Sequence, residues 1–409
     1  MLAELERRIN PEQSRVFDLD RLRESRAMLD RIMTAPAFAA TTNPPPTRFT
    51  IVGSNGKGST AFSLARIARA DRATPVGLFT SPHLRSVLER IRVNGRPVSA
   101  RTALGGLGCV REAAEGDWER LSYFELTFLI AVAVFRMRGC RTEVYEAGLG
   151  GRWDATRAVR AEHVLLMPIE LEHTSVLGGS HLEILDEKVA VLTERTRSLC
   201  VYPQPNVSEE DVRTAAARFA PNLSELSFYD TPGTVPAGED DYLSRNLAFA
   251  LECYARATGR RPGTGEPPPA VPGRLENRAT RLTNANGRPV ALLFDPAHNP
   301  AAFEVTDASL RGQGLEARAT LVLLGLLGDR DPAPALERLR ELGYVCRQLT
   351  GGPLHAALPE EHDSLALAAL PESLRPVLER GHFAACVFLG THRTHGDFRR
   401  TWRAFQRPR

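Results

Sequence analysis

Phe49-Thr50-Ile51-Val52 runs without a break into Gly53-Ser54-Asn55-Gly56-Lys57-Gly58-Ser59-Thr60, and a helical pattern follows from Ala61 to Ala70. A short apolar strand, a glycine loop with one lysine and a helix in that order make a phosphate-binding element. The loop reads G-x-x-G-K-G-S-T, two residues tighter than the usual nucleotide loop. Its glycines let successive backbone N–H groups converge on phosphate oxygens at a helix start. Ser54, Asn55, Gly56, Lys57, Gly58, Ser59 and Thr60 are therefore the candidate nucleotide-binding residues. This element also dictates its surroundings, because it occurs at the carboxyl edge of a parallel sheet.

Fifty of the 52 basic side chains are arginine, and only Lys57 and Lys188 are lysine. Lysine offers a compact point charge and an amine that can lose its proton, and arginine offers neither. Lys57 sits in the loop, where its ammonium would meet the terminal phosphates. Lys188 lies in the helical run Leu182–Leu192, where Leu182, Leu185, Val189 and Leu192 form the expected core stripe. A lysine there is either paired with a carboxylate, Glu187 or Glu172, or chemically altered. Desolvation lowers an amine's pKa, and a neutral amine adds CO₂ to give a carbamate.

Further apolar runs at 76–79, 143–145 and 164–169 alternate with helical ones such as 124–137, which predicts a parallel sheet covered on both faces. Residues 1–40 read as helical up to Asn43-Pro44-Pro45-Pro46. A proline-rich stretch at about 259–273 reads as a linker. After it the α/β pattern restarts, with strands at 292–294, 321–324 and 386–389. The expected organisation is a large phosphate-loop ATP-binding domain, 1–272, and a smaller Rossmann-like α/β domain, 273–409.

Ligands of such sheets gather at the carboxyl ends of the strands. Glu146 and His173 each fall just past a strand there, with Glu170 and Glu172 beside the histidine. Taken alone, Thr80-Ser81-Pro82-His83-Leu84 reads as a capped helix start. Net charge is +3, too small to call for nucleic acid. The six cysteines carry no metal spacing and read as reduced thiols of a cytoplasmic protein. No membrane partner is expected, since no apolar run approaches the roughly 18 residues of a span.

Several segments together resemble the folylpolyglutamate synthase/dihydrofolate synthase family of the Mur ligase superfamily. They are 53–60, Thr80–Leu84 with Glu89-Arg90-Ile91, Ser122-Tyr123-Phe124-Glu125, 146–156, His173-Thr174, Glu187-Lys188, 272–276 and Asp295-Pro296-Ala297-His298-Asn299-Pro300. The resemblance implies an ATP-dependent ligase joining L-glutamate to the carboxylate of dihydropteroate or a folate through an acyl phosphate; a Mur-type ligase on another carboxylate, such as a cell-wall precursor, and a non-catalytic nucleotide-binding homologue are the alternatives. It implies two Mg²⁺ ions, one held by Ser81 and Glu146 with the phosphates, the other by Glu146, His173 and carbamylated Lys188. Lys57, His173 and Lys188 are then the catalytic residues. Asn246, Arg274, Asp295 and His298 match positions that reach ATP, and Ser122, Phe124, Asp154 and Ala155 match the pterin pocket. The partners implied are small molecules, and the protein is expected to act as a monomer. The sequence departs from the family pattern at Glu172, usually Asp, at Arg157, usually Asn, and at Val189-Ala190, usually Ala-Gly. An extra hairpin is expected around Asn284-Ala285-Asn286-Gly287.

Overall fold

The computed structural model describes residues 19–230, 242–263, 271–328, 331–356 and 364–406. The chain divides into two compact units, Met1–Gly233 with Asn246–Pro269 and Thr234–Arg245 with Ala270–Arg409. Residues 264–270 of the expected linker and 1–18 of the first expected helical stretch lie outside the described residues. Of the stretch expected to be helical up to 40, α1 covers Leu19–Ile32 and only a 3₁₀ turn follows at Pro36–Phe38.

The first unit is built on strands β1 (Thr47–Val52), β2 (Val76–Phe79), β3 (Ile91–Val93), β4 (Arg96–Pro97), β5 (Thr142–Glu146), β6 (His163–Leu166), β7 (Ser198–Val201) and β8 (Glu225–Phe228). They lie in the order β4-β3-β2-β5-β1-β6-β7-β8. Only β3 and β4 run antiparallel to their neighbours. The central strands are buried along most of their length because helices cover both faces: α2 (Lys57–Ala70), α3 (Ala100–Ala114), α4 (Tyr123–Met137), α5 (Thr174–Leu177), α6 (His181–Val189), α7 (Glu209–Phe219) and, from Asn246 on, α8 (Tyr242–Thr258). Helix α4 is apolar all round and is buried along most of its length. That is the composition of an interior helix rather than an amphipathic one.

The expected stripe on α6 is corrected in two respects. Leu182 is 54% exposed, while Ile184, Leu185, Lys188 and Val189 are buried. Leu182 lies in the first turn, between Ser180 and Glu183, whose capping box starts the helix at the surface. The helix also ends at Val189 and not at Leu192. Its exposed carbonyl ends are met by Arg157, whose Nε donates to the Ala190 oxygen at 2.7 Å. Nor does Thr80–Leu84 begin an α-helix; it is an irregular bend followed by a 3₁₀ turn at Val87–Arg90.

The second unit holds β9 (Glu276–Thr283), β10 (Pro289–Phe294), β11 (Thr320–Gly325), β12 (Val345–Thr350), β13 (Leu365–Ala366) and β14 (Ala385–Gly390). Their order is β13-β12-β11-β14-β10-β9, parallel except for β9. Helices α9 (Pro300–Gly312), α10 (Ala333–Glu341), α11 (Leu370–Arg380) and α12 (His395–Phe405) cover it. The hairpin expected at Asn284–Gly287 joins β9 to β10, with the Asn284 side chain accepting from Asn286 N and Arg288 N. Among the described residues no helix is long and apolar enough to cross a membrane.

Candidate active site

Four neighbouring strands of the first sheet, β2, β5, β1 and β6, deliver the site residues in that order at their carboxyl ends. β1 runs out at Val52 into the glycine loop. Gly53 has φ +132°, and a Cβ there would come within 2.5 Å of the Met167 Cβ, so the loop can pass over Met167 only as glycine. Helix α2 starts at Lys57 itself. Lys57 Nζ folds back and donates to Gly53 O at 2.7 Å and Ser54 O at 3.0 Å. Ser59 Oγ donates to Gly56 O and accepts from Asn246 Nδ2 at 2.7 Å. Asn246, seen in sequence only through resemblance, thus reaches the loop from α8.

Glu146 closes β5 and is 4% exposed. Its Oε2 accepts the backbone N–H of Ser81, which follows β2, at 2.9 Å. Its Oε1 lies 3.1 Å from where a side chain on Gly58 would begin. A buried carboxylate thus faces the helix start of the phosphate loop. The Met167–His173 segment follows β6 and leans on the same loop, with Ser54 N donating to Pro168 O and Ser54 Oγ exchanging hydrogen bonds with Glu170 N and O. His173 is exposed and sits at φ +46°, ψ +41°, a left-handed conformation that costs a non-glycine residue energy and gathers at functional positions.

Lys188 is 1% exposed. Of the two carboxylates considered for it, the structure selects Glu172, with Nζ to Oε1 2.8 Å, and Nζ also donates to Gly53 O at 2.9 Å. Glu187 instead takes Arg152. Both lysines of the chain therefore donate to one carbonyl oxygen. Burial depresses the Lys188 ammonium, partly offset by Glu172. Burial pushes the Glu172 carboxyl up, but Lys188 and Lys57 outweigh it and hold it well below the usual carboxylate range. The loop 148–154 packs on the helix that carries Lys188. A Cβ on Gly151 would lie 2.2 Å from the Lys188 carbonyl oxygen, so this approach requires glycine.

Phe124 lies against Gly148 and stacks edge-on with Phe79 at 5.7 Å. Ser122 caps α4 in a reciprocal box with Glu125, and Ala155 is buried at the start of a 3₁₀ turn. Asp154 accepts Gly148 N and Leu149 N on one oxygen and Thr156 N and Oγ1 on the other. Those four donors fill the carboxylate's acceptor positions. In this structure Asp154 clamps its own loop. In the second unit, Asp295 follows β10 and accepts Tyr242 OH at 2.6 Å, Leu275 N and Ala297 N at 3.0 Å. His298 and Arg274 are half-buried, with His298 Nδ1 2.9 Å from Pro296 O.

Among the described residues no group of three or more His, Cys, Asp or Glu side chains is assembled as a metal cage. The buried Glu146 carboxylate beside a phosphate loop suits a hard ion held largely by phosphate and water oxygens, which is the habit of Mg²⁺. Sequence reasoning did not anticipate Met167 beneath the loop, Arg157 at the end of α6, or the side chains of Gln204 and Asn206 against 167–170. The prolines at 168 and 203 were the available signal for the last.

A phosphate loop, an adjoining buried carboxylate and a second α/β unit define a nucleotide-binding enzyme of the parallel α/β class. No protein-family model matches the chain. It is 29% identical over 342 residues to the dihydrofolate synthase/folylpolyglutamate synthase of Escherichia coli, covering 79% of this chain and 78% of that one. It is 26% identical over 328 residues to the folylpolyglutamate synthase of Lacticaseibacillus casei, covering 71% and 73%. The fold matches that of E. coli FolC in complex with DHPP and ADP, with TM-score 0.72, 24% identity, and 96% and 94% of the two chains covered. The chain is thus similar, over about three quarters of its length, to proteins named dihydrofolate synthase/folylpolyglutamate synthase.

Proposed function

We propose that this protein is an ATP-dependent ligase that joins L-glutamate to the carboxylate of dihydropteroate or a folate through an acyl phosphate. The observation that carries this reading is the convergence on the glycine loop of Glu146, Lys188 and Asn246, in a chain whose relatives bear those enzyme names. A solved structure of the same fold holds Mn, AMPPNP and L-glutamate.

A carboxylate oxygen of the substrate attacks the γ-phosphorus and ADP leaves. The amine of glutamate then adds to the acyl carbon, phosphate departs and the nitrogen loses a proton. Lys57 leaves its two loop carbonyls to meet the phosphates, joined by the N–H groups at the head of α2 and by the Ser59 and Thr60 hydroxyls. Ser54, Asn55, Gly56 and Gly58 shape that cradle, with Asn246, Arg274, Asp295 and His298 as further nucleotide residues. Ser122, Phe124, Asp154 and Ala155 form the pterin side; Phe124 supplies an aromatic face and Asp154 fixes the loop beside it. Ser81, Glu146, His173 and Lys188 are the residues that would hold two Mg²⁺, whose charge would offset that of the phosphates. The protein acts as a cytoplasmic monomer, a setting that suits six cysteines of which none forms a disulfide.

For Lys188 we propose a carbamate, formed when the amine nitrogen adds to CO₂ and loses a proton. This replaces the Glu172–Lys188 ion pair with two neighbouring anions, so it requires cations at His173 and Glu146. The 2.8 Å ion pair favours a second reading, in which Lys188 stays an ammonium and Glu172 serves as the carboxylate. A ¹³C carbamate resonance after exposure to ¹³CO₂ supports the first; its absence in Mg²⁺-nucleotide-loaded protein, with a normal signal path, selects the second.

The test of the activity is ADP release with dihydropteroate, tetrahydrofolate or a cell-wall precursor, each with and without glutamate, alongside detection of the amide product. Glutamate-dependent release with a pterin is expected. Release with a cell-wall precursor alone would reassign the substrate, and nucleotide binding without turnover on any of them would mark a non-catalytic homologue.

A further inference from the structure

We infer that Gln204 is a positioning residue that aims the segment after β6, with Glu172 and His173 at its far end, at the phosphate loop. The parallel pairing of β6 with β7 registers Leu166 with Val201, and its last main-chain bond is Tyr202 N to Leu166 O at 2.8 Å. The next bond would run from residue 168 to Tyr202 O, and Pro168 has no N–H to give it. The Gln204 carboxamide continues the pairing in its place. Its Oε1 accepts Ile169 N at 2.9 Å, and its Nε2 donates to Met167 O at 3.2 Å and Tyr202 O at 2.9 Å. Asn206 Nδ2 adds Ile169 O and the Glu170 carboxylate, each at 3.0 Å.

The opposite side of the same segment is held by Ser54 of the glycine loop, through Pro168 O and through Glu170 N and O. Residues 167–170 therefore run as a strand extension between the phosphate loop and the 204–206 segment. Two residues beyond, Glu172 meets Lys188, and His173 is held in its left-handed conformation. A carboxamide supplies one acceptor and two donors at this spacing. A carboxylate would set an oxygen against two carbonyls, and an apolar side chain would leave one N–H and two C=O groups without this partner. Groups that orient a metal-facing residue from behind typically alter metal affinity by about 10- to 100-fold when removed.

The aim at a metal rests on the proposed role of His173, so the experiment separates the two. Gln204→Met, with the isosteric Gln204→Glu as a second variant, is compared with His173→Ala in two measurements on the full chain. One is hydrogen exchange of the 167–173 amides without nucleotide. The other is Mn²⁺ binding, followed by electron paramagnetic resonance, in the presence of a non-hydrolysable ATP analogue. Both Gln204 variants are expected to speed exchange of 167–173 and to weaken Mn²⁺ about tenfold, with metal-free nucleotide affinity unchanged. Wild-type exchange in both variants overturns the brace. Wild-type Mn²⁺ affinity in both, with a loss in His173→Ala, overturns the aim. Unchanged Mn²⁺ affinity in His173→Ala overturns the metal assignment of His173 and the aim that depends on it, while the exchange measurement still decides whether Gln204 braces the segment.

Discussion

Lys57 and Lys188 approach the Gly53 carbonyl oxygen from two sides, at 2.7 and 2.9 Å. On the proposed function this is a resting position for Lys57, because an ammonium on a flexible stem can exchange two carbonyls for phosphate oxygens by rotating its side chain. A guanidinium is planar and wider and would have to enter the same small cradle. Lys57→Arg is therefore expected to lower kcat by about 10²-fold or more, with melting temperature unchanged. Steady-state kinetics beside thermal denaturation checks this, and near-normal turnover would remove Lys57 from the phosphate site. Lys188 has no comparable freedom, since it is enclosed between Glu172 and the loop. Its type was legible in the sequence, as one of two lysines among fifty arginines. Its partner was not, because Glu172 and Glu187 are both near enough in sequence and only the path of the chain after Pro168 decides between them.

Elements carry the same division. Strands β1, β2, β5 and β6 were readable from apolar runs, and the hairpin after β9 from its Asn and Gly residues. The end of α6 was not readable, because the residues after Val189 are as apolar as those before it, and a distant arginine terminates the helix. At the edge of the second sheet, β9 begins with Glu276, whose carboxylate takes His395 Nε2 at 2.8 Å from α12 and Arg278 at 2.8 Å. Burial alone would push this carboxyl up; His395 and Arg278 outweigh that and bring it from 4.5 down to about 2. A group depressed in the fold stabilises it fully above its unfolded value and loses that contribution as pH falls through the folded one. The stability difference between the wild type and Glu276→Gln should therefore be full above pH 4.5 and shrink toward pH 2. Urea denaturation at pH 6 and pH 3 measures it; an equal difference at both would show that the carboxylate's charge does not contribute.

At the scale of the whole molecule, each of the two units carries residues proposed for the nucleotide. The glycine loop, Glu146 and Lys188 belong to the first, and Arg274, Asp295 and His298 to the second. A ligand that binds only the folded chain stabilises it by RT ln(1 + [L]/Kd), about 2.7 kcal/mol at a hundredfold excess over Kd. Mg²⁺ with ADP is expected to raise the melting temperature of the wild type and to raise that of Lys57→Ala much less at the same concentration. Thermal melts across an ADP titration test this, and equal shifts in the two proteins would place the nucleotide away from the loop.

Sequence by itself determined the phosphate loop, the alternation that makes parallel sheets, and the residue types required at Lys57, Glu146 and Lys188. Those features are local, since a strand, a glycine turn and a helix start follow from neighbours along the chain. Tertiary structure decided which groups face one another. It paired Lys188 with Glu172, filled the acceptors of Asp154 with its own loop's donors, turned Leu182 outward, and brought Gln204 to the strand end that Pro168 leaves unpaired. Each of these depends on contacts between residues distant in sequence, and burial makes them matter, because a polar group removed from water must find its partner wherever the fold has placed one.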